Sequence, residues 1–154
     1  TPGTDVGVQK EPRSSRRHKV RIAVTPIGPL LPHFQAYHSS ICVGHTEFSF
    51  SGKGVEALGC FVSHAPFQKS PTILDFGTAN TSARAMVAAM SPYFRPGTYD
   101  LLRKNCNSFT DCALFYLVGK RLEEQYRSME KIGAELDKYA GLVRSFTGGG
   151  RETE

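Results

Sequence analysis

The sequence predicts an α+β fold in which a small antiparallel sheet forms first and helices pack on it afterwards. Three observations predict it. Short segments rich in β-branched and aromatic residues, some alternating with polar ones, recur up to Phe76. From Thr81 onward apolar residues recur at helical spacing instead. The 15 glycines and 9 prolines argue against a simple helical bundle, while 154 residues at 40% hydrophobic composition suffice for one domain with its own core. Strands grouped ahead of helices are the α+β pattern, not the alternating one of a parallel sheet.

Residues 1–17 are polar, charged and aperiodic, which predicts a disordered basic leader. Val20, Ile22 and Val24 alternate with Lys19, Arg21 and Ala23 as a half-buried strand does, and Pro26, Gly28, Pro29 and Pro32 predict a loop after it. Residues 34–43 read as a second strand, Gly44 and His45 as a turn, and residues 47–50 as the returning strand of a hairpin. Ser51-Gly52-Lys53-Gly54 is a loop that shares glycines with phosphate-binding loops but not their spacing. Residues 57–62 and 72–76 read as two more strands around an irregular stretch. Thr81 or Ser82 caps a helix over residues 83–90 that Pro92 ends. Residues 98–102 form a short extended piece. Asn105 then caps a helix opening at Cys106, carrying Phe109, Ala113, Leu114 and Leu117 on one face and ending at Gly119. A last, charged helix is expected over residues 121–143, and residues 147–154 as a flexible tail, leaving 18–146 as the folded domain.

The net charge of +5 resembles a nucleic-acid signal until it is located. Six basic residues within the first 21, set against Asp5 and Glu11, account for +4 of it. The body is close to neutral, so a solvated leader explains the charge without a nucleic-acid partner. No stretch reaches the length of apolar residues that a membrane span needs. The four cysteines contain no C-x-x-C pair, which argues against a zinc or redox motif and for reduced thiols in a cytoplasmic protein.

Chemistry concentrates at Cys106 and His38. A thiol at the first residue of a helix meets unpaired main-chain N–H groups and the positive end of the helix dipole, which favour the thiolate and can cradle an oxyanion. Arg103, Lys104, Asn105 and Asn107 make its surroundings read as a polar, electropositive corner, whereas cysteines in general are buried small hydrophobes. His38 lies on a strand whose alternation puts it with Ser40 and Cys42 on one face and Tyr37 with Ser39 on the other. Its ordinary alternative is a core histidine satisfied by a carbonyl. His18, His33, His45 and His64 fall in the leader, turns or the irregular stretch and read as idle. Cys42 and Cys60 fit strand interiors, and Cys112 lies on another face of the helix from Cys106. Asn80-Thr81-Ser82 is a glycosylation triplet that a cytosolic chain never uses, and Gly148-Gly149 reads as linker.

Several blocks together resemble one family. Tyr37-His38-Ser39-Ser40-Ile41, Val43-Gly44 and Glu47-Phe48-Ser49-Phe50 are similar to the histidine block of the PPPDE peptidases, which include the desumoylating isopeptidases. Asp75-Phe76-Gly77-Thr78 before a helix, and Tyr99-Asp100-Leu101-Leu102 leading into Asn105-Cys106-Asn107-Ser108-Phe109, continue the resemblance in the family's order across about residues 18–120. It implies a papain-type fold, circularly permuted so that histidine precedes cysteine. By position Cys106 becomes the nucleophile and His38 the general base and acid of an isopeptidase cleaving after the Gly-Gly end of ubiquitin or SUMO, with no cofactor and no metal. The implied partners are a ubiquitin-like modifier and its conjugates in the cytoplasm or nucleus, and a homodimer is compatible with the reading. The resemblance leaves a third catalytic residue and the second oxyanion donor unassigned. A protein thioesterase and a catalytically silent modifier-binding module are the alternatives. After Gly119-Lys120 the chain departs from the family by starting a charged helix where an Ile-Pro segment is common.

Overall fold

The computed structural model describes residues 17–31, 34–127 and 129. The leader up to residue 16, Pro32 and His33, the tail and, apart from residue 129, the part of the expected last helix beyond residue 127 lie outside the described residues. Five antiparallel strands form one sheet in the order β4-β3-β2-β1-β5: β1 His18–Leu31, β2 Phe34–Val43, β3 Thr46–Ser51, β4 Gly54–Gly59 and β5 Thr72–Ala79. A 3-10 segment, Val62–Phe67, links β4 to β5, and α1 Ala83–Met90, α2 Cys106–Val118 and α3 Glu124–Arg127 follow.

The register sorts the side chains into two faces. Val20 pairs with Val43, Ile22 with Ile41 and Val24 with Ser39, and partners directly opposite share a face. These residues, with Phe48 and Phe50 of β3, form the main core against Met86 of α1 and Phe109, Ala113 and Leu114 of α2. The intervening pairs, Ala23 with Ser40, Thr25 with His38 and Ile27 with Ala36, look to the other side. There the 3-10 segment covers them, with ring and hydroxyl contacts to His38, Thr25 and Ser40. β1 and β2 are buried from both sides, so Thr25, His38, Ser39 and Ser40 are buried polar residues at their centres.

Several boundaries differ from expectation: β5 runs through Gly77 to Ala79, β3 gains a residue at each end, β4 ends at Gly59, and four further departures have a local reason. β1 runs on through Pro26, because β5 ends its pairing at Val24 and no ladder on that side needs a proline N–H. β4 begins at Gly54 because a two-residue turn at Gly52 and Lys53 returns the chain at once. Gly54 is required there: its φ is +91°, and a Cβ would stand 3.0 Å from the Pro96 ring. Residues 98–102 are turn rather than strand, closed by a bridge from Asp100 to Lys104. Helix α3 starts at Glu124 rather than 121, because Arg121 and the Leu122 N–H are both held by the Asp111 carboxylate and Leu122 is drawn into the core.

Candidate active site

Strand β2 is paired with β3 only at residues 41–43, so its earlier half lacks a neighbour on that side. The N-terminus of α2 fills the gap. Asn107 donates from Nδ2 to the Tyr37 carbonyl at 2.9 Å and accepts at Oδ1 from the Ser39 hydroxyl at 2.6 Å. The Ser39 main-chain N–H is directed at the Cys106 sulfur. Main-chain groups that a sheet would otherwise satisfy are thus met by the first two residues of a helix.

The start of that helix is fixed by Asn105. Its side chain accepts from the N–H groups of Asn107 and Ser108 at 3.0 and 3.1 Å, and the Ser108 hydroxyl accepts from the Asn105 N–H at 3.1 Å. This reciprocal cap leaves the Cys106 N–H turned toward its own sulfur. Cys106 packs in a small apolar cluster with Ile27, Ala36 and Met129, against which Phe34, Phe67, Tyr99 and Leu101 also pack.

His38 reaches the same neighbourhood from β2. Ala36, its same-face neighbour two residues earlier, belongs to the Cys106 cluster, and the Phe67 ring lies 5.5 Å from the imidazole. The two sequence-predicted residues therefore converge on one end of β2. His38 Nε2 is 2.8 Å from the Ser63 hydroxyl. His64 stacks on His38 with ring centroids 4.5 Å apart, and is itself held by Thr25 Oγ1 on Nδ1 and Ser40 Oγ on Nε2, both at 2.8 Å. Far from idle, His64 is a buried wall of the site.

Burial dominates the electrostatics. Cys106 has no accessible surface, and desolvation pushes its thiol up to about 11 against the pull of the Ser39 N–H, the Tyr99 hydroxyl and the helix N–H groups. Desolvation, then the neighbouring His64, holds His38 well below its ordinary value. The resting pair is thiol and neutral imidazole. The expected electropositive corner is not formed around the sulfur: Arg103 is exposed, and Lys104 turns away to the Thr98 hydroxyl and the Phe94 ring.

Elsewhere, Cys42 is buried in β2 while Cys60 lies in the turn after β4, not in a strand, and Cys112 is exposed. Among the described residues no group of His, Cys, Asp or Glu side chains is gathered to hold a metal ion. Sequence reasoning missed Ser63, His64 and Asn107 as parts of the site. Asn107 stood in the cysteine block and could have been read; Ser63 and His64 stand in a stretch with no motif.

Compared with known proteins, residues 14–144 match the family model described as the PPPDE putative peptidase domain. A search of curated proteins gives no match.

Proposed function

Because the chain belongs to the PPPDE putative peptidase family, a papain-like peptidase domain, we propose that it is a cysteine isopeptidase releasing a ubiquitin-like modifier from lysine through Cys106 and His38. One observation carries the reading: the first residue of α2 is a cysteine lodged against the strand that bears His38. From a neutral pair, His38 takes the thiol proton as sulfur attacks the glycyl carbonyl, with the Cys106 N–H beside the developing oxyanion. The imidazolium then protonates the leaving lysine amine, and a thioester to the modifier's C-terminus remains. Water, deprotonated by His38, hydrolyses it and frees the thiol. The partners on this reading are the modifier and its conjugates, met in the cytoplasm or nucleus.

The apolar side chains around the sulfur, among them Ile27, Phe34, Phe67 and Leu101, favour a second reading, a protein S-acyl thioesterase using the same pair. The two separate on a panel of ubiquitin and SUMO C-terminal electrophiles run beside acyl-thioester substrates. Labelling by a modifier that vanishes in Cys106→Ala and falls at least about 100-fold in His38→Ala supports the isopeptidase. Turnover of thioesters alone supports the second reading, and modifier binding with neither reaction leaves a silent binding module. Labelling that survives Cys106→Ala overturns the assignment.

A further inference from the structure

We propose that Glu47, acting through Ser63, is the positioning residue that fixes which His38 nitrogen carries the proton. The proposal rests on the Cys106–His38 reading above and supplies the third group that reading leaves open. Glu47 lies in β3 with no accessible surface, opposite Cys42 of β2 and Leu58 of β4. Among the described residues no lysine or arginine forms an ion pair with it. A buried carboxyl without a counter-ion is costly, and such groups are kept where their hydrogen bonds matter.

Its hydrogen bonds lead to His38. Glu47 Oε1 accepts the Ser63 main-chain N–H at 3.0 Å, while Oε2 is buried without a hydrogen-bond partner among the described residues, on the side that faces the Ser63 hydroxyl. Burial raises the carboxyl above its ordinary value, and Ser63 and the Phe61 N–H pull it back. Ser63 Oγ is in turn 2.8 Å from His38 Nε2. A carboxylate only accepts, so a Ser63 hydroxyl turned toward Glu47 gives its single proton there and leaves Oγ to accept from Nε2–H. The basic lone pair is then on Nδ1, ready for the thiol proton. His64 stacked on one side and Phe67 on another keep the ring from turning.

Glu47 also anchors the 3-10 segment through the Ser63 N–H, a structural role that any acceptor could fill. Glu47→Gln separates the two roles. The glutamine carbonyl still accepts from Ser63 N–H, but its amide donates to Ser63 Oγ. The hydroxyl then donates to Nε2, and the imidazole proton moves to Nδ1, where it blocks proton uptake from sulfur. Carboxylate-to-amide exchange behind a catalytic histidine lowers kcat by roughly 10⁴ in the serine triad, and roughly 10²–10⁴ is expected here with KM little changed. Ser63→Ala removes the link without burying anything and loses part of the rate; Ser63→Thr, which keeps the hydroxyl, restores it.

The experiment is 15N NMR of the histidine rings in the full chain, with circular dichroism for folding, beside steady-state kinetics on the modifier conjugate or acyl thioester that the unmutated protein turns over. An Nε2–H tautomer of His38 that switches to Nδ1–H in Glu47→Gln, with the loss in kcat, supports the proposal. An Nδ1–H tautomer in the unmutated protein overturns it, as does a Glu47→Gln protein with unchanged tautomer and rate. If Glu47→Gln does not fold, the Ser63→Ala and Ser63→Thr pair decides by the same readouts. A tautomer switch in a protein that reacts with no modifier or thioester leaves the positioning network standing and removes the proposed function.

Discussion

Cys106 is subject to two opposed effects. A helix N-terminus lowers a thiol's pKa by a modest amount, whereas complete loss of solvent raises it by several units, and here burial prevails. The alkylation rate of Cys106 with iodoacetamide is therefore expected to keep climbing past pH 9 toward about 11, with exposed Cys112 modified first. A mass-spectrometric pH profile checks this, and a plateau below pH 8 would mean a preformed thiolate. His64 makes a second residue-level prediction. Its folded value is lowered to about 4 by burial, from 6.5. A histidine depressed in this way contributes stability that is present above pH 6.5 and lost as pH falls toward 4, and His38 acts in the same direction. The urea midpoint should fall across that window, and His64→Gln should flatten the fall. Neither behaviour could be read from the sequence, because both depend on a 3-10 segment whose residues carry no periodic signal. The placement of Cys106 at the first residue of α2 and of His38 on β2 was legible, since each stands in a block of distinctive neighbours.

At the scale of elements, α2 is both core helix and substitute strand. Asn107 is the residue that joins the two roles, and its loss exposes what it satisfies. Asn107→Leu keeps the branching of the side chain, in a larger volume, but leaves the Tyr37 carbonyl and Ser39 hydroxyl without their partner, at a cost of about 1–3 kcal/mol for each buried group. Equilibrium urea unfolding measures it, and iodoacetamide labelling of the buried Cys106 should speed up as the helix start loosens. Asn105→Ala removes the reciprocal cap and is expected to cost about 1–2 kcal/mol. Helices α1 and α2 matched the sequence reading to the residue because Ser82, Asn105 and Gly119 are strong local signals. β4 and the start of α3 did not, because a tight hairpin turn and the Asp111 clamp on Arg121 and Leu122 act between elements rather than within them.

For the whole molecule, strand-first, helix-second order was enough to give the α+β class, since period-2 and period-3.6 patterning occupy separate halves of the chain. What patterning could not give is that the sheet parts between β2 and β3 so that a helix end enters it; only the register shows that. Asp111→Asn is expected to lower the thermal midpoint by releasing the Arg121 clamp and freeing the segment ahead of α3. A differential scan checks it.

The parting of the sheet has a dynamic counterpart. From Thr25 and His38 outward, β1 and β2 have no strand partner but each other, as β5 stops at Val24 and β3 at Ile41, and side chains of α2 and the 3-10 segment make the remaining bonds. Such a two-stranded arm gives up few ladder bonds on opening, so its amides should exchange with deuterium well before those of Val20, Ile22 and Ile41. On the proposed function, the Cys106 thiol, which has no accessible surface, is reached by substrate only through opening. Turnover then scales as an opening equilibrium multiplied by a chemical rate, and a crosslink across the arm would slow catalysis while raising stability.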